Sequence, residues 1–223
     1  MSQIQKVHFV GIGGIGVSAL ARYFLSRGFE VSGSDLSSSE IIEDLRKAGA
    51  KILIGHIATN VPRDSELVIY SAAVKRTNSE LKIARTLKIK TLSYPEALGE
   101  LTKNYFTIAV SGSHGKSTTT ALIGLILIKA GLDPTVILGT KLKEFAPPAG
   151  GSNFRKGESN YLVIEADEWN RSFHHYFPRA AVLTNIDKEH LDTYGNFRGV
   201  VAGFRRYFKN VVHDGVIIAN WGD

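Results

Sequence analysis

Ser111-Gly112-Ser113-His114-Gly115-Lys116-Ser117-Thr118-Thr119-Thr120 is the stretch that decides how the chain is read. An extended run rich in β-branched and aromatic residues, Tyr105 to Val110, precedes it, and a run with helical periodicity, Ala121 to Ala130, follows. Strand, glycine turn, lysine, hydroxyl and helix, in that order, make a phosphate cradle, because N–H groups of the turn and of the helix start point at anionic oxygens. In such a loop Lys116 reaches the β- and γ-phosphates and the Ser117 hydroxyl ligates Mg²⁺. The common form has a glycine where this chain has Val110, so only Gly112, Gly115, Lys116 and Ser117 fit, as a shortened Gly-x-x-Gly-Lys-Ser. The plain alternative is a glycine turn capped by Ser and Thr before an ordinary buried helix.

Upstream, a strand at Lys6–Val10 runs into Gly11-Ile12-Gly13-Gly14-Ile15-Gly16 and a helix from Val17 to Ser26, with Gly28 as a stop signal. The next strand, Glu30–Ser34, ends at Asp35, nineteen residues past Gly16. Glycines 11, 13 and 16 between strand and helix, with an acid at that distance, form the dinucleotide-binding fingerprint. The glycines let the backbone approach a pyrophosphate, and the acid accepts a ribose hydroxyl. The pattern does not separate a dinucleotide from a nucleotide sugar, and a tight strand–helix turn without a ligand is its plain alternative.

The alternation continues with a helix over Ser39–Ala48, strands at Lys51–Ile54 and Glu66–Tyr70, a helix over Asn78–Leu87, a strand at Lys90–Leu92 and a helix over Pro95–Leu101. Alternating strands and helices predict a parallel sheet with helices on both faces, and ligands at the C-terminal strand ends. Gly13 to Gly16, Asp35, His56 and Ser71 all fall there; His56 by itself reads equally as a structural surface histidine.

A boundary near Leu101–Asn104 divides the chain into residues 1–102 and 103–223. The second part continues with a strand at Thr135–Leu138 and an irregular loop from Lys141 to Gly157 holding Pro147-Pro148, whose length hints at function or disorder. Tyr161–Glu168 reads as a strand ending in three carboxylates, and Pro178–Asn185 as another, followed by Ile186 to Asp192. A phosphate loop needs an acid at a neighbouring strand end to hold Mg²⁺. Glu165 is the first choice, with Asp167 and Glu168 in reserve; His190 and Asp192 can reach a second cation, although Mg²⁺ prefers oxygen. Taken singly, each acid could be a cap or a salt-bridge partner. Asn196–Phe208 is an amphipathic helix whose stripe of Phe197, Val200, Val201, Phe204 and Phe208 reads as core rather than as a base-stacking platform. A last strand at Gly215–Ala219 stops at Asn220–Asp223, so a doubly wound sheet is expected to continue in a longer protein or to borrow its missing parts.

Composition bounds the partners. The 223 residues suit one large or two small domains, with 43% hydrophobic and 22% charged residues. No cysteine is present, which excludes a disulfide scaffold and a thiolate metal site and fits a reducing compartment. The net charge of +6 permits a polyanion, but Lys and Arg are scattered, so nucleic acid is not an expected partner. A signal-peptide pattern is lacking, and the longest apolar run, Ala121–Ile128, is far short of the ~20 residues that span a bilayer, so no membrane partner is expected.

With these motifs placed, the sequence resembles the Mur ligase family of peptidoglycan synthesis. The residues carrying the resemblance are Gly11 to Ala21, Gly33-Ser34-Asp35, Gly55-His56, Ser71-Ala72-Ala73, Gly112 to Thr119, Glu165 to Glu168 with Ser172-Phe173, and Asn185 to Asp192. Together they span nearly the whole chain. The departures are Ser113 and Ser117 where the family often has Thr, Glu189 before His190 where Asp is usual, and the absence of the rest of the central sheet and of a C-terminal amino-acid domain. The resemblance implies an α/β chain: a Rossmann-like UDP-sugar domain followed by the first portion of a P-loop ATPase-type domain. It implies a UDP-sugar on Gly13, Gly14, Ile15, Gly16, Asp35, His56, Ser71 and Ala72. It implies ATP on Gly112, Ser113, His114, Gly115, Lys116, Ser117 and Thr118, and Mg²⁺ on Ser117, Glu165 and His190, with Lys116, Glu165 and His190 catalytic. The implied reaction joins L-alanine to UDP-N-acetylmuramate through an acyl phosphate, in the cytoplasm. A homodimer or an absent C-terminal domain would supply the remaining parts, and the chain alone is expected to be inactive. Rival readings are a murein-tripeptide recycling ligase, a dehydrogenase-like NAD(P) protein, which leaves Lys116, Glu165 and His190 without purpose, and a non-catalytic binding fragment.

Overall fold

The computed structural model describes residues 5–145 and 151–220. The chain divides into two compact units, Met1–Ala97 and Leu98–Asp223. The first holds β1 (Lys6–Val10), α1 (Ile15–Ser26), β2 (Glu30–Asp35), α2 (Glu40–Lys47), β3 (Lys51–Ile54), β4 (Leu67–Tyr70), α3 (Ser79–Thr86), β5 (Lys90–Ser93) and the start of α4 (Tyr94–Thr102). Its sheet is parallel, in the order β3-β2-β1-β4-β5. β1 is central because Val7, Phe9 and Val10 are buried on its two faces, as strands of a covered parallel sheet require. The strand order reverses beside β1, which opens a crevice at the C-terminal ends of the strands. Ser39 and Asn78 lie outside their helices: their side chains accept from Ile42 N at 3.3 Å and from Glu80 N at 2.8 Å, as N-caps do.

The division between the units falls inside α4, a few residues before the boundary read from the sequence. The second half of α4 belongs with the second unit because Gly99 lies hard against the His175 carbonyl and the buried Thr102 hydroxyl accepts from Phe177 N at 3.0 Å.

The second unit contains β6 (Phe106–Ser111), α5 (Lys116–Lys129), β7 (Thr135–Leu142), β8 (Ser152–Arg155), β9 (Tyr161–Glu165), β10 (Ala180–Leu183), α6 (Leu191–Tyr194), α7 (Phe197–Phe208) and β11 (Val216–Ala219). The sheet order is β11-β10-β6-β9-β7-β8, parallel except for β8, which runs antiparallel to β7. β8 lies where the sequence suggested only an irregular loop. Its four residues Ser-Asn-Phe-Arg carry no apolar alternation, and only pairing with β7 makes them a strand. Pro147-Pro148 of that loop and Trp221–Asp223 lie outside the described residues.

β9 ends at Glu165 instead of running on to Glu168. Ala166 N still donates to Val110 O at 2.8 Å, and the chain then turns through a 3-10 segment, Trp169–His175. α7 begins after Asn196, which accepts from Gly199 N at 3.0 Å. Val200, Gly203, Phe204 and Tyr207 are its buried residues, and Tyr207 stacks on Phe173 with ring centroids 4.7 Å apart. Phe197, which the sequence pattern placed in the stripe, is exposed, because the buried face of the helix is phased on Tyr207 instead. Among the described residues no helix is long and apolar enough to cross a membrane.

Candidate functional site

In the second unit the glycine loop joins β6 to α5, so it stands at the C-terminal end of a strand flanked by β9 and β10. Gly112 has φ +135°, and a Cβ there would land on the Thr184 hydroxyl, so only glycine lets the loop lie against β10. Thr184 and Asn185 hold the loop down. Thr184 Oγ1 donates to His114 O at 2.6 Å, Asn185 Nδ2 donates to the same carbonyl at 3.1 Å, and Asn185 Oδ1 accepts from His114 N at 2.9 Å. Gly115, left-handed at φ +79°, is the N-cap of α5 and offers no side-chain cap. The first N–H groups of a helix have no intrahelical acceptors, and here Lys116, Ser117 and the exposed Thr118 form that first turn. A fourteen-residue helix with an uncapped start is suited to an anion.

Around the loop the charges are grouped. Lys116 Nζ donates to Gly112 O at 2.6 Å and to both oxygens of Glu168, at 3.1 and 2.9 Å. Ser117 Oγ donates to Glu165 Oε2 at 3.0 Å, and Gly139 N to Glu165 Oε1 at 2.7 Å. Burial pushes the Glu165 carboxyl above its ordinary range, against the pull of the Gly139 N–H, the Ser117 hydroxyl and the Lys116 charge. Burial raises Glu168 likewise, against Lys116. A half-buried and a buried acid whose charged forms are under-compensated are suited to a cation.

The sequence paired Glu165 with Ser117 for one cation and let His190 and Asp192 reach a second. In the structure Glu165 does lie beside Ser117, and it is the two reserve acids that stand with His190: ligand atoms of Asp167, Glu168 and His190 lie within 4.8 Å of one another. His190 Nε2 is 3.6 Å from Glu168 Oε1. The cause is the early end of β9: Glu165 stays at the strand end beside Ser117, and the turn that follows folds Glu168 under Lys116. Asp192 is exposed and stands outside the cluster. Ser113 is occupied by the fold, its hydroxyl accepting from Asp187 N at 2.8 Å. The His114 ring is half-exposed, 3.5 Å from Asp187 Oδ2 and 3.7 Å from Glu189 Oε1. Asn170, Arg171 and His190 are three of the five non-glycine residues with positive φ among those described, so backbone strain is concentrated in the two loops that carry Glu168 and His190.

The first unit has a cleft of about 630 Å³ at the expected strand ends, lined by Gly11, Gly13, Gly14, Asp35, His56 and Ser71, among others. Asp35 braces the glycine turn: Oδ2 accepts from Gly13 N and Oδ1 from Leu36 N, both at 2.8 Å. Each oxygen keeps a second lone pair for a ligand hydroxyl. Ile15, Gly16 and Ala72 are not part of the lining. Gly16 serves packing instead, since a Cβ there would sit 2.8 Å from the Tyr94 ring. Thr184 and Gly139 were not singled out from the sequence, and Asn185 was quoted only within longer stretches such as Asn185–Asp192, without a role; each acts on a loop that the sheet brings in from another strand.

Fold and sites define an α/β protein with a glycine-turn crevice in one unit and, in the other, a glycine loop at a helix start flanked by acids. The Mur ligase family catalytic-domain model matches residues 6–106, and the Mur ligase middle-domain model matches residues 110–223. The chain belongs to the Mur ligase family. It is 46% identical over 221 residues to the UDP-N-acetylmuramate–L-alanine ligase of Aquifex aeolicus, covering 99% of this chain and 47% of that relative. To the ligase of the same description from Acetivibrio thermocellus it is 44% identical over 219 residues, covering 98% of this chain and 45% of the relative. Among solved structures, the UDP-N-acetylmuramate–alanine ligase of Thermotoga maritima matches with a TM-score of 0.86 and 33% identity, over 98% of this chain and 49% of that one. The UDP-N-acetylmuramate:L-alanyl-γ-D-glutamyl-meso-diaminopimelate ligase of Neisseria meningitides also gives 0.86, with 27% identity, over 99% of this chain and 72% of that one. The chain spans about half the length of the curated relatives it matches.

Proposed function

We propose that the chain is the UDP-sugar- and ATP-binding portion of a ligase that joins L-alanine to UDP-N-acetylmuramate. The observation that carries this reading is the convergence of Lys116, Ser117, Glu165 and Glu168 on one glycine loop. The names and identities of the relatives support alanine over the tripeptide, with 33% identity against 27% for the two solved structures of equal TM-score. A dehydrogenase reading would leave the second unit's site without a use. The partners are then small molecules, and the place of action the cytoplasm.

The reaction this implies has two steps. The sugar's carboxylate attacks the γ-phosphorus of ATP and ADP leaves; the alanine amine then attacks the acyl carbon and phosphate leaves. The N–H groups at the start of α5 bind phosphate oxygens, and Lys116, turning from Glu168, neutralises the β- and γ-oxygens. The Ser117 hydroxyl and the Glu165 carboxylate would hold one Mg²⁺, and Asp167, Glu168 and His190 would hold a second cation. These oxygen-rich sets fit, and such an ion would offset the negative charge of the transferring phosphoryl group. Positioning and charge neutralisation do the rest.

Calorimetric titration tests the reading. The chain should bind UDP-N-acetylmuramate and MgATP at separate sites. Lys116→Ala, at a pH near 6 where it stays folded, should lose ATP binding and retain the sugar. Loss of both ligands, or tight binding of NADH without the sugar, would refute it.

A further inference from the structure

Beneath the cleft of the first unit lies a buried polar network that the reading above does not use. Glu80, in the first turn of α3, is wholly buried. It accepts from His8 Nε2 at 3.0 Å, from Ser34 Oγ at 2.7 Å and from Asn60 Nδ2 at 3.0 Å, groups supplied by β1, β2 and the turn after β3. Burial pushes the Glu80 carboxyl up, but the hydrogen bonds from His8, Ser34 and Asn60 outweigh it and hold the group below the usual carboxylate range. An ionised carboxylate only accepts, so the single Ser34 hydroxyl proton points at Glu80. In its other close contact, with His56 Nδ1 at 2.9 Å, Ser34 Oγ must therefore accept. His56 Nδ1 then carries the proton, and its 3.4 Å approach to Glu80 Oε1 demands the same. In a neutral imidazole the other nitrogen is an acceptor. His56 lines the cleft with 13% of its side chain exposed, and Nε2 has no hydrogen-bond partner among the described residues.

We infer that Glu80 is a positioning residue: through Ser34 it locks His56 as the Nδ1–H tautomer, so that the cleft offers Nε2 as an acceptor to a donor on the nucleotide. The donors with that chemistry on a uridine diphosphate are the uracil imide N–H and a ribose hydroxyl. The ligand part rests on the UDP-sugar reading of the cleft; the tautomer does not.

Two-bond ¹H–¹⁵N spectra of the ring-labelled chain test the tautomer directly. They are taken at pH 8, above the ordinary imidazole pKa of about 6.5, with His56→Gln identifying the His56 signals. The expected result in the unliganded protein is protonated Nδ1 and bare Nε2; the reverse overturns the inference. This measurement needs no stability-changing variant and stands even where one fails to fold. In the double variant Ser34→Ala with Glu80→Gln, the amide NH₂ can face Nδ1, so the ring should flip to Nε2–H and UDP should bind about tenfold more weakly. An unchanged tautomer there overturns the role of Glu80. UDP, CDP, 2′-deoxy-UDP and 3′-deoxy-UDP are then titrated into both proteins. Whichever analogue lacks the donor that meets Nε2 should lose its sensitivity to the double substitution. Equal weakening of all four overturns the recognition of a donor. Failure of UDP to bind a wild-type chain that shows the Nδ1–H tautomer refutes the UDP-sugar reading and leaves the tautomer assignment supported.

Discussion

Lys116→Ala should destabilise the second unit in a pH-dependent way, quite apart from its effect on ATP. Glu168 is 1% exposed and Lys116 16%, and the two are joined at 2.9 Å. Removing one partner of a buried ion pair costs about 3–5 kcal/mol, because the remaining charge is stranded. His190 Nε2 stands 3.6 Å from the same carboxylate, and Lys116 is not fully buried, so the lower end, about 3 kcal/mol, is expected at pH 8. Protonating the carboxyl instead costs about 1.4 kcal/mol for each pH unit above its ordinary value near 4.3, or about 5 kcal/mol at pH 8 and about 2 at pH 6. The deficit is therefore limited to about 2 kcal/mol at pH 6. Burial already raises the Glu168 carboxyl, with Lys116 opposing, and losing Lys116 raises it further. Over the window above the unfolded carboxyl's pKa, the folded variant holds a proton that the unfolded chain releases, so stability falls as pH rises. Residues 1–97 contain no tryptophan and Trp169 lies in the second unit, so urea unfolding followed by tryptophan fluorescence reports on that unit. Adding Glu168→Gln removes the stranded charge and should restore at least half of the loss. Equal stability of wild type and Lys116→Ala at pH 8, or a double variant weaker than the single, would refute the reasoning.

Four further glycine substitutions probe the backbone. Gly112→Ala combines φ +135° with a collision against Thr184, and should cost the second unit more than about 2 kcal/mol in the same urea assay, whereas Gly131→Ala, at φ +76° in open space, should cost about 1. Gly139→Ala would place a Cβ 2.9 Å from Glu165 Oε2, the end of a flexible side chain. It should leave the urea midpoint nearly unchanged and weaken MgATP severalfold by calorimetry; unaltered affinity would show that Glu165 need not hold its place. Gly16→Ala presses on the Tyr94 ring at 2.8 Å and should destabilise the first unit by about 1–3 kcal/mol, a loss partly recovered by Tyr94→Leu in thermal unfolding followed by far-ultraviolet circular dichroism.

The alternation of apolar runs and helical segments was enough to read two parallel α/β units and both glycine turns. A strand-end glycine turn, a lysine and a hydroxyl are neighbours along the chain, so their chemistry is local. The helix caps Ser39, Asn78 and Asn196 were legible only to within a residue, because a cap is decided by one side-chain hydrogen bond. The sequence ranked Glu165 ahead of Glu168 but could not bring Glu168 to Lys116 and His190, since that depends on where β9 stops. Nor could it see β8, Thr184, Gly139 or the path from Glu80 through Ser34 to His56. Each is a pairing between residues tens of positions apart, created by the strand orders β10-β6-β9-β7 and β3-β2-β1-β4. By itself, then, the sequence determined the kind of fold and the places of both glycine turns at strand ends, because those depend on period and on adjacent residue types. Only the tertiary structure decided which acid meets which base, because hydrogen bonds and ion pairs act over a few ångströms and the sheet order alone chooses which distant side chains come that close.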